Sequence, residues 1–351
     1  MRSLALQALH WSWCHEVLRV WRGPCQGHGR ALVVIANPQV EITTAAALGS
    51  WGSRARQRED LRPEAASLKK VGLADALSEH LKLRTNGTQI PQRRDKKIQQ
   101  ELVKAAGLRS PRQAGGMSIS DVEEFLNTEQ MPVVVKPVES AGSDGVKLCF
   151  TKEEATEHFH MLMNAQQKVG SQGAAVLCQE FLRGKEYVVD HVSVDGEHKT
   201  VMIWVYDKRP CNGAAFVYHG MLPVPSDSPE AKLLIPYMRG VLDALQIKNG
   251  PTHGEAMMTE NGPCLVEMSC RAHGSDGTWV PLARALCGGY SQVDAGLDCF
   301  LNVDNLKKLP EKPPSPYKAE GQFVFLVSFT EGKVKAAPAY DKIKVGILRV
   351  H

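Results

Sequence analysis

Two glutamates late in the chain have the type and spacing of a paired metal-ligand set. Glu255 and Glu267 lie on either side of Glu260–Gly262, which reads Glu-Asn-Gly and is typical of a three-residue hairpin turn with glycine in the left-handed position. A turn centred on Asn261 places the two glutamates directly opposite each other, with Cβ atoms about 5 Å apart. Facing carboxylates repel unless a cation lies between them. Hard oxygen ligands of this kind suit Mg²⁺, with Mn²⁺ as the alternative.

Because side chains alternate between the two faces of a strand, the sequence predicts which residues share a face with these glutamates. The polar residues share one face: His253, Glu255, Glu267, Ser269 and Arg271. The apolar residues share the other, which should face the core: Ala256, Met258, Cys264, Val266 and Met268. A solvated acidic face on an amphipathic hairpin is the alternative explanation of the same pattern.

Lys136 ends the apolar run Val133–Val135, in a predicted strand over Met131–Lys136. A buried ammonium needs a partner, so this lysine is a candidate for function. The following loop, Glu139–Val146, is rich in Gly and Ser, and its backbone N–H groups could fold over phosphates. A glycine-rich hairpin turn explains it equally well. The chain has neither GxxxxGK[ST] nor GxGxxG, so a P-loop or dinucleotide site has no support.

The elements that position these residues form an α+β pattern rich in antiparallel strand pairs. Asp95 is the predicted N-cap of a helix that ends before Gly107 and carries an apolar face. That face comprises Ile98, Leu102, Ala105 and Ala106. The predicted strands are 131–136, 146–150, 174–181, 187–194, 200–206, 214–222 and a pair within 252–269. The other predicted helices include 153–168, 230–245 and 280–287, and a late hairpin is expected over 322–337.

Charge and cysteine content exclude several classes of protein. The 351 residues carry a net charge of +4, but residues 1–58 hold seven Arg and two Glu (+5), which leaves −1 for the rest. A nearly neutral body lacks the basic surface of a nucleic-acid binder, and no apolar run approaches the roughly 20 residues that span a bilayer. Nine Cys without a CxxC pair favour a reducing compartment over disulfides or zinc. We therefore expect a cytoplasmic protein, with an organellar transit peptide at the Arg-rich start left open.

The ordered motifs resemble those of the ATP-grasp superfamily, and within it the L-amino-acid and dipeptide ligases and carnosine synthase-like carboxylate–amine ligases. The resemblance covers about Val71–Val303. It rests on five matches: Asp95-Lys96, Lys136 before the Gly-rich loop, the hinge strand Gln179–Glu186, the pair Glu255 and Glu267, and Arg271. It implies a fold of two α+β subdomains that clasp ATP.

The resemblance also implies roles for these residues. Lys96 and Lys136 would hold the α- and β-phosphates as point charges, under a loop that includes Ser140, Gly142, Ser143 and Gly145. Glu180, Phe181 and Leu182 would bind adenine, and Glu186 the ribose hydroxyls. Metal ligands would be Glu255, Glu267 and Ser269, where the family usually has Asn at the third position. Arg271 and Lys136 would be catalytic. Taken singly, the hinge glutamates and Lys96 would be explained as solvated surface charges.

The implied function is an ATP-dependent carboxylate–amine ligase that forms an amide bond through an acyl phosphate, with amino acids as substrates and a homodimer left open. The alternatives are a non-catalytic ATP-binding module and a bicarbonate-activating carboxylase. His253 and His273 flank the site, although a packed histidine is the simpler explanation, and Lys208 and Arg209 are weaker candidates for a substrate carboxylate. The predicted organisation is an atypical segment (1–70), a remnant of the preceding domain (71–94), the ATP-grasp domain (95–307), and a linker with a C-terminal β-subdomain (308–351).

Overall fold

The computed structural model describes residues 74–89, 95–138, 145–168, 175–325, 327 and 329, together with the backbone of three short strands near the start of the chain. Those strands are β1 (Arg19–Trp21), β2 (Ala31–Ile35) and β3 (Thr43–Ala47), which pair in the antiparallel order β1-β2-β3. Residues 74–80 are helical. Three candidates of the phosphate loop, Ser140, Gly142 and Ser143, lie outside the described residues.

The remaining elements confirm the α+β class. The strands are β4 (Gln113–Gly116), β5 (Val133–Pro137), β6 (Lys147–Cys149), β7 (Val176–Glu180), β8 (Lys185–Val194), β9 (Glu197–Cys211), β10 (Ala214–Pro223), β11 (Gly250–Thr259), β12 (Gly262–Ser269) and β13 (Phe323–Val324). The helices are α1 (Lys96–Ala105), α2 (Glu123–Thr128), α3 (Lys152–Lys168), α4 (Pro229–Ala244), α5 (Val280–Leu286), α6 (Gln292–Leu301) and α7 (Val303–Lys308). Within the described part of the chain, none of the helices is long and apolar enough to cross a membrane.

Two antiparallel sheets carry the fold. The smaller has the order β4-β7-β5-β6 and packs a core against α2 and α3, with Phe159 of α3 almost fully buried. The larger has the order β12-β11-β8-β9-β10-β13. One of its faces is covered by α4, whose Leu234, Met238 and Val241 are fully buried in the main core. The late hairpin is described only at β13, and its second predicted strand lies outside the described residues.

The β11–β12 hairpin pairs the two glutamates as predicted, but by a different route. Gly262 has φ +91, as the turn requires, yet Thr259 pairs with Gly262 rather than with Pro263. The ladder therefore starts one residue out of the expected register, and a bulge between Glu255 and Ala256 restores it, so that Glu255 faces Glu267. The bulge also moves side chains between faces: Leu265, and not Val266, joins the core beside Ala256 and Met268. The predicted core assignment of Val266 was wrong for this reason.

Helix α1 begins as predicted but buries a different face. The Asp95 carboxylate accepts hydrogen bonds from the N–H groups of Lys97 and Ile98, at 2.8 and 3.0 Å. Its buried side consists of three polar residues, Lys96, Gln99 and Gln100, together with Val103, which joins the main core. Of the predicted apolar face, Leu102 packs against the main core, but Ala105 and Ala106 are exposed. The polar residues are buried instead because this helix lies on the edge strand β12 and bonds to its backbone groups.

Side-chain amides make that contact specific. The Gln99 amide donates to Met268 O at 2.6 Å and accepts from Met268 N–H at 3.1 Å, as a neighbouring strand would. Gln100 donates to Leu265 O at 3.1 Å, at the bulge. Because the edge strand is held in this way, Lys96 in the first turn of α1 is directed towards Glu267.

The hinge between β7 and β8 depends on one glycine. Gly184 has φ +154, and a Cβ there would lie 1.9 Å from Met258 O of β11. We expect Gly184→Ala to lower the free energy of unfolding by about 3 kcal/mol or more, through backbone strain and this clash. Gly196→Ala is the matched control, since Gly196 has φ +90 with nothing within 4 Å, and should cost only roughly 1–2 kcal/mol. Urea unfolding of both variants measures the difference; equal losses would contradict the close approach of hinge and β11.

Candidate active site

The paired carboxylates lie where β11 and β12 face the first turn of α1. Glu255 and Glu267 are direct partners in the ladder, and the Lys96 ammonium lies 3.6 Å from Glu267 Oε1. Lys96 is buried, whereas the Glu267 side chain is 25% exposed. Burial works to raise the pKa of Glu255, but its hydrogen bond to His253 and the nearby cations hold that pKa well below the usual range. The site thus presents an ionised carboxylate beside a second one.

Lys136 adds a second buried cation. Its side chain in β5 is only 6% exposed. Burial, and then the positive charge of Lys96, lower its pKa to about 8, while the charges of Glu267, Glu255 and Glu186 oppose that shift. The two lysines and three glutamates therefore act on one another electrostatically, although they come from both sheets and from α1. The alternative that Lys96 is a solvated surface charge is inconsistent with its burial.

The two hinge glutamates are both held by cations. Glu180 is buried at the end of β7, and its carboxylate lies 3.1 Å from Arg109 Nη2 and 2.6 Å from Arg112 Nη1. Glu186, at the start of β8, accepts a hydrogen bond from Lys208 at 2.7 Å. Burial and the charge of Glu255 raise the pKa of Glu186, against the opposing effect of Lys208. Neither glutamate is therefore a solvated surface charge, which is how each would be explained without the family resemblance.

Lys208 is enclosed by aromatic rings. Its ammonium lies 4.9 Å from the ring centre of Tyr206 and 4.4 Å from that of Tyr218, within the range of cation–π attraction. Although burial works to lower its pKa, Glu186 and Glu255 raise it above the usual value. Arg209 differs, because its exposed guanidinium is paired bidentately with Asp207 at 2.8 and 2.6 Å. Of these two substrate-side candidates, the structure brings Lys208 to the site.

The two flanking histidines converge on a residue that the sequence analysis missed. Asp190 of β8 is fully buried and accepts hydrogen bonds from His253 Nδ1 at 3.0 Å and His273 Nδ1 at 2.9 Å. Burial works to lower the pKa of His253, but its hydrogen bonds to Asp190 and Glu255 raise that pKa to about 9. For His273 the effect of burial is larger, and its pKa is lowered. Asp190 interrupts the apolar run of β8, the same signal that identified Lys136, and could have been found by it.

The remaining candidates occupy the margins of this cluster. Ser269 pairs with His253 across the β11–β12 ladder, and Arg271 follows β12, where its charge acts on Glu255. Gly145, at the end of the predicted phosphate loop, has φ +69, and its carbonyl accepts a hydrogen bond from His158 Nε2 at 2.9 Å. Phe181 and Leu182 form the half-buried hinge between β7 and β8.

This donor set fits a divalent cation and a polyphosphate. Two facing carboxylates supply hard anionic oxygens, the ligands that Mg²⁺ prefers. Two buried ammonium groups next to them supply the positive charge that phosphate oxygens need. A metal ligand must also be deprotonated. Glu255 meets this condition, because its lowered pKa keeps the carboxylate ionised at neutral pH.

Comparisons with known proteins identify the family of this chain. Residues 94–276 match the family model described as phosphoribosylglycinamide synthetase, ATP-grasp (A) domain. Dapdiamide A synthase of Enterobacter agglomerans is 31% identical over 287 residues, which cover 80% of this chain and 66% of that protein. Alanine–anticapsin ligase of Bacillus subtilis is 25% identical over 213 residues, covering 56% of this chain and 45% of the relative. The chain thus spans two thirds or less of the length of these relatives.

A solved structure shows the same fold. The L-amino acid ligase from Bacillus licheniformis superimposes with a TM-score of 0.58 at 18% identity, over 69% of this chain and 58% of that one. At this identity the likeness shows a shared fold, which is the fold that the motifs implied. The family match covers more than half of the chain, from the N-cap of α1 to the loop after Arg271. The chain therefore belongs to the ATP-grasp family, as the order of its lysines, hinge and paired glutamates implied.

Proposed function

We propose that this chain catalyses ATP-dependent ligation of a carboxylic acid to an amine, through an acyl phosphate. The observation that carries the proposal is the direct pairing of Glu255 with Glu267, with the Lys96 ammonium 3.6 Å from the second carboxylate and Lys136 buried within reach of both charges. An acidic pair on a merely solvated hairpin would not be accompanied by two buried lysines. The relatives named above are ligases or synthases, which supports the same class of reaction.

The proposed roles follow from charge and position. Mg²⁺, or Mn²⁺, held by Glu255 and Glu267 would offset the charge that develops during phosphoryl transfer. Lys96 and Lys136 bind the phosphate oxygens, and the hinge from Glu180 to Leu182 binds the nucleobase. Arg271 then steadies the leaving phosphate or the tetrahedral centre with its planar guanidinium.

The substrate side is proposed at Lys208. Its ammonium lies between the rings of Tyr206 and Tyr218 and donates a hydrogen bond to Glu186, so the residue proposed for a substrate carboxylate lies directly beside the residue proposed for the ribose. Because alanine–anticapsin ligase and L-amino acid ligase are named for amino-acid substrates, we infer that the acid and the amine here are amino acids too. Action in the cytoplasm and as a homodimer are further parts of the proposal.

Phosphate release with ATP and Mg²⁺, screened over pairs of amino acids, tests this function. We expect release that requires both an acid and an amine, with formation of the amide detected by mass spectrometry. Bicarbonate belongs in the screen as an alternative acid, since a carboxylase would release phosphate with bicarbonate and no amino acid. Nucleotide binding without release for any pair would favour a non-catalytic ATP-binding module and would count against the ligase.

A further inference from the structure

The group Asp190, His253 and His273 is fully enclosed next to the proposed metal ligands. The three side chains are 0%, 5% and 4% exposed, and one potential ligand atom from each lies within 4.8 Å of the others. Such a group could itself hold a metal ion. In the observed geometry, however, the two Nδ1 atoms lie 3.0 and 2.9 Å from Asp190 oxygens, and because a carboxylate only accepts, both Nδ1 atoms carry protons here. Trp204 Nε1–H also donates to Asp190, at 3.1 Å.

The bonds to Asp190 fix the orientation of His253. With Nδ1–H directed to Asp190 Oδ1 at 3.0 Å, the opposite ring atom Nε2 must point away from the carboxylate. That atom lies 3.5 Å from Glu255 Oε1 and 3.4 Å from the Tyr206 hydroxyl. His253 therefore connects a buried carboxylate to one of the two facing glutamates. His273 makes the same bond to Asp190 through Oδ2, and its ring packs 5.1 Å from that of Trp279.

We infer that Asp190 is a positioning residue, which acts through His253 to hold Glu255 in the orientation that receives the divalent cation. This inference rests on the proposed function, because it takes Glu255 as a metal ligand. Groups that bond to a metal ligand orient it, and their loss typically reduces metal affinity roughly 10- to 100-fold. A buried charge at the centre of a sheet is costly unless it is bonded, and Asp190 receives three donors.

A matched pair of histidine variants separates positioning from packing. Asn at either position keeps an N–H donor near the place of Nδ1, so His253→Asn and His273→Asn both preserve the bond to Asp190. Only His253→Asn loses the contact with Glu255. We expect His253→Asn to weaken Mn²⁺ binding to the nucleotide-free protein roughly 10- to 100-fold, and His273→Asn to leave it within about twofold. Free Mn²⁺ is read from its electron paramagnetic resonance signal, and circular dichroism verifies that each variant is folded.

Asp190→Asn tests the first step of the connection. Its amide oxygen can still accept from His273 and Trp204, which both donate to Oδ2, but its NH₂ group cannot accept from His253 Nδ1–H, so His253 loses its partner. We expect a loss of Mn²⁺ affinity like that of His253→Asn, and no further loss in the double variant, because both changes break one connection. Additive losses would contradict action through His253.

The outcomes distinguish this inference from the function on which it depends. If the unaltered chain binds no Mn²⁺, the metal assignment itself fails, and the inference fails with it. If the unaltered chain binds Mn²⁺ and the folded variants His253→Asn and Asp190→Asn bind it equally well, only the positioning role is refuted. Equal weakening by His253→Asn and His273→Asn would likewise show that the group only packs the sheet.

Discussion

Replacing Glu267 by alanine is expected to abolish turnover while leaving the fold intact. Metal-assisted charge stabilisation contributes several kcal/mol to a phosphoryl transfer, so removal of one of two facing carboxylates should reduce kcat by about a thousandfold. The side chain is 25% exposed and belongs to none of the core clusters of the described residues, so the fold should persist although buried Lys96 loses an ion-pair partner at 3.6 Å. Phosphate release in the presence of ATP, Mg²⁺ and an active amino-acid pair measures the loss.

The control for this variant lies on the same hairpin. Glu260 is an exposed carboxylate at the turn, so Glu260→Ala removes an equal charge from the same element without touching the facing pair. We expect it to retain full activity. Thermal unfolding should show one cooperative transition for both variants, which verifies that each is folded. Unreduced turnover by folded Glu267→Ala would refute the metal assignment, whatever the control does.

Lys136→Met is expected to stabilise the fold and to impair nucleotide binding. Burial and the charge of Lys96 lower the lysine pKa from 10.5 to about 8, which corresponds to a cost of about 3 kcal/mol for holding the ammonium in the folded state. Methionine fills most of the same space without a charge. The free energy of unfolding at pH 7 should therefore rise by up to about 3 kcal/mol. Loss of charge-assisted bonds to phosphate should weaken ATP binding roughly 10- to 100-fold.

The pH dependence of this gain has a definite sign. Because the pKa is lower in the folded chain, the unfolded state binds more protons between pH 8 and 10.5, and the stability of the unaltered chain rises through that window. The advantage of Lys136→Met should be complete below pH 8 and should disappear by about pH 10.5. Urea unfolding at several pH values measures it. Lys104→Met on the exposed side of α1 is the control, and a gap that does not vary with pH would contradict the buried-charge explanation.

Sequence alone predicted which residues come together where a residue contradicted its local pattern. Lys136 in an apolar strand and two acids on either side of a Glu-Asn-Gly turn were sufficient to predict the facing carboxylates, because a hairpin pairs residues that are near in sequence. The predicted register at the turn was wrong by one residue. The pairing of Glu255 with Glu267 was nevertheless right, because a bulge between Glu255 and Ala256 shifts the ladder back by one residue. Local periodicity cannot predict such a bulge, since it is stabilised by Gln100 of α1, far away in the chain.

The partners of the charged groups were decided by the tertiary structure. Lys96 and Glu267 lie close together because Gln99 of α1 forms hydrogen bonds with the edge strand β12. The same contact buries the polar residues Lys96, Gln99 and Gln100, which local periodicity did not predict. Asp190 is bonded to His253 and His273, and Glu186 to Lys208, through contacts between strands that pack only when the large sheet forms. The physical reason is that residue type and spacing specify what a side chain can do, whereas the low-polarity surroundings that bring charges together exist only after distant segments pack.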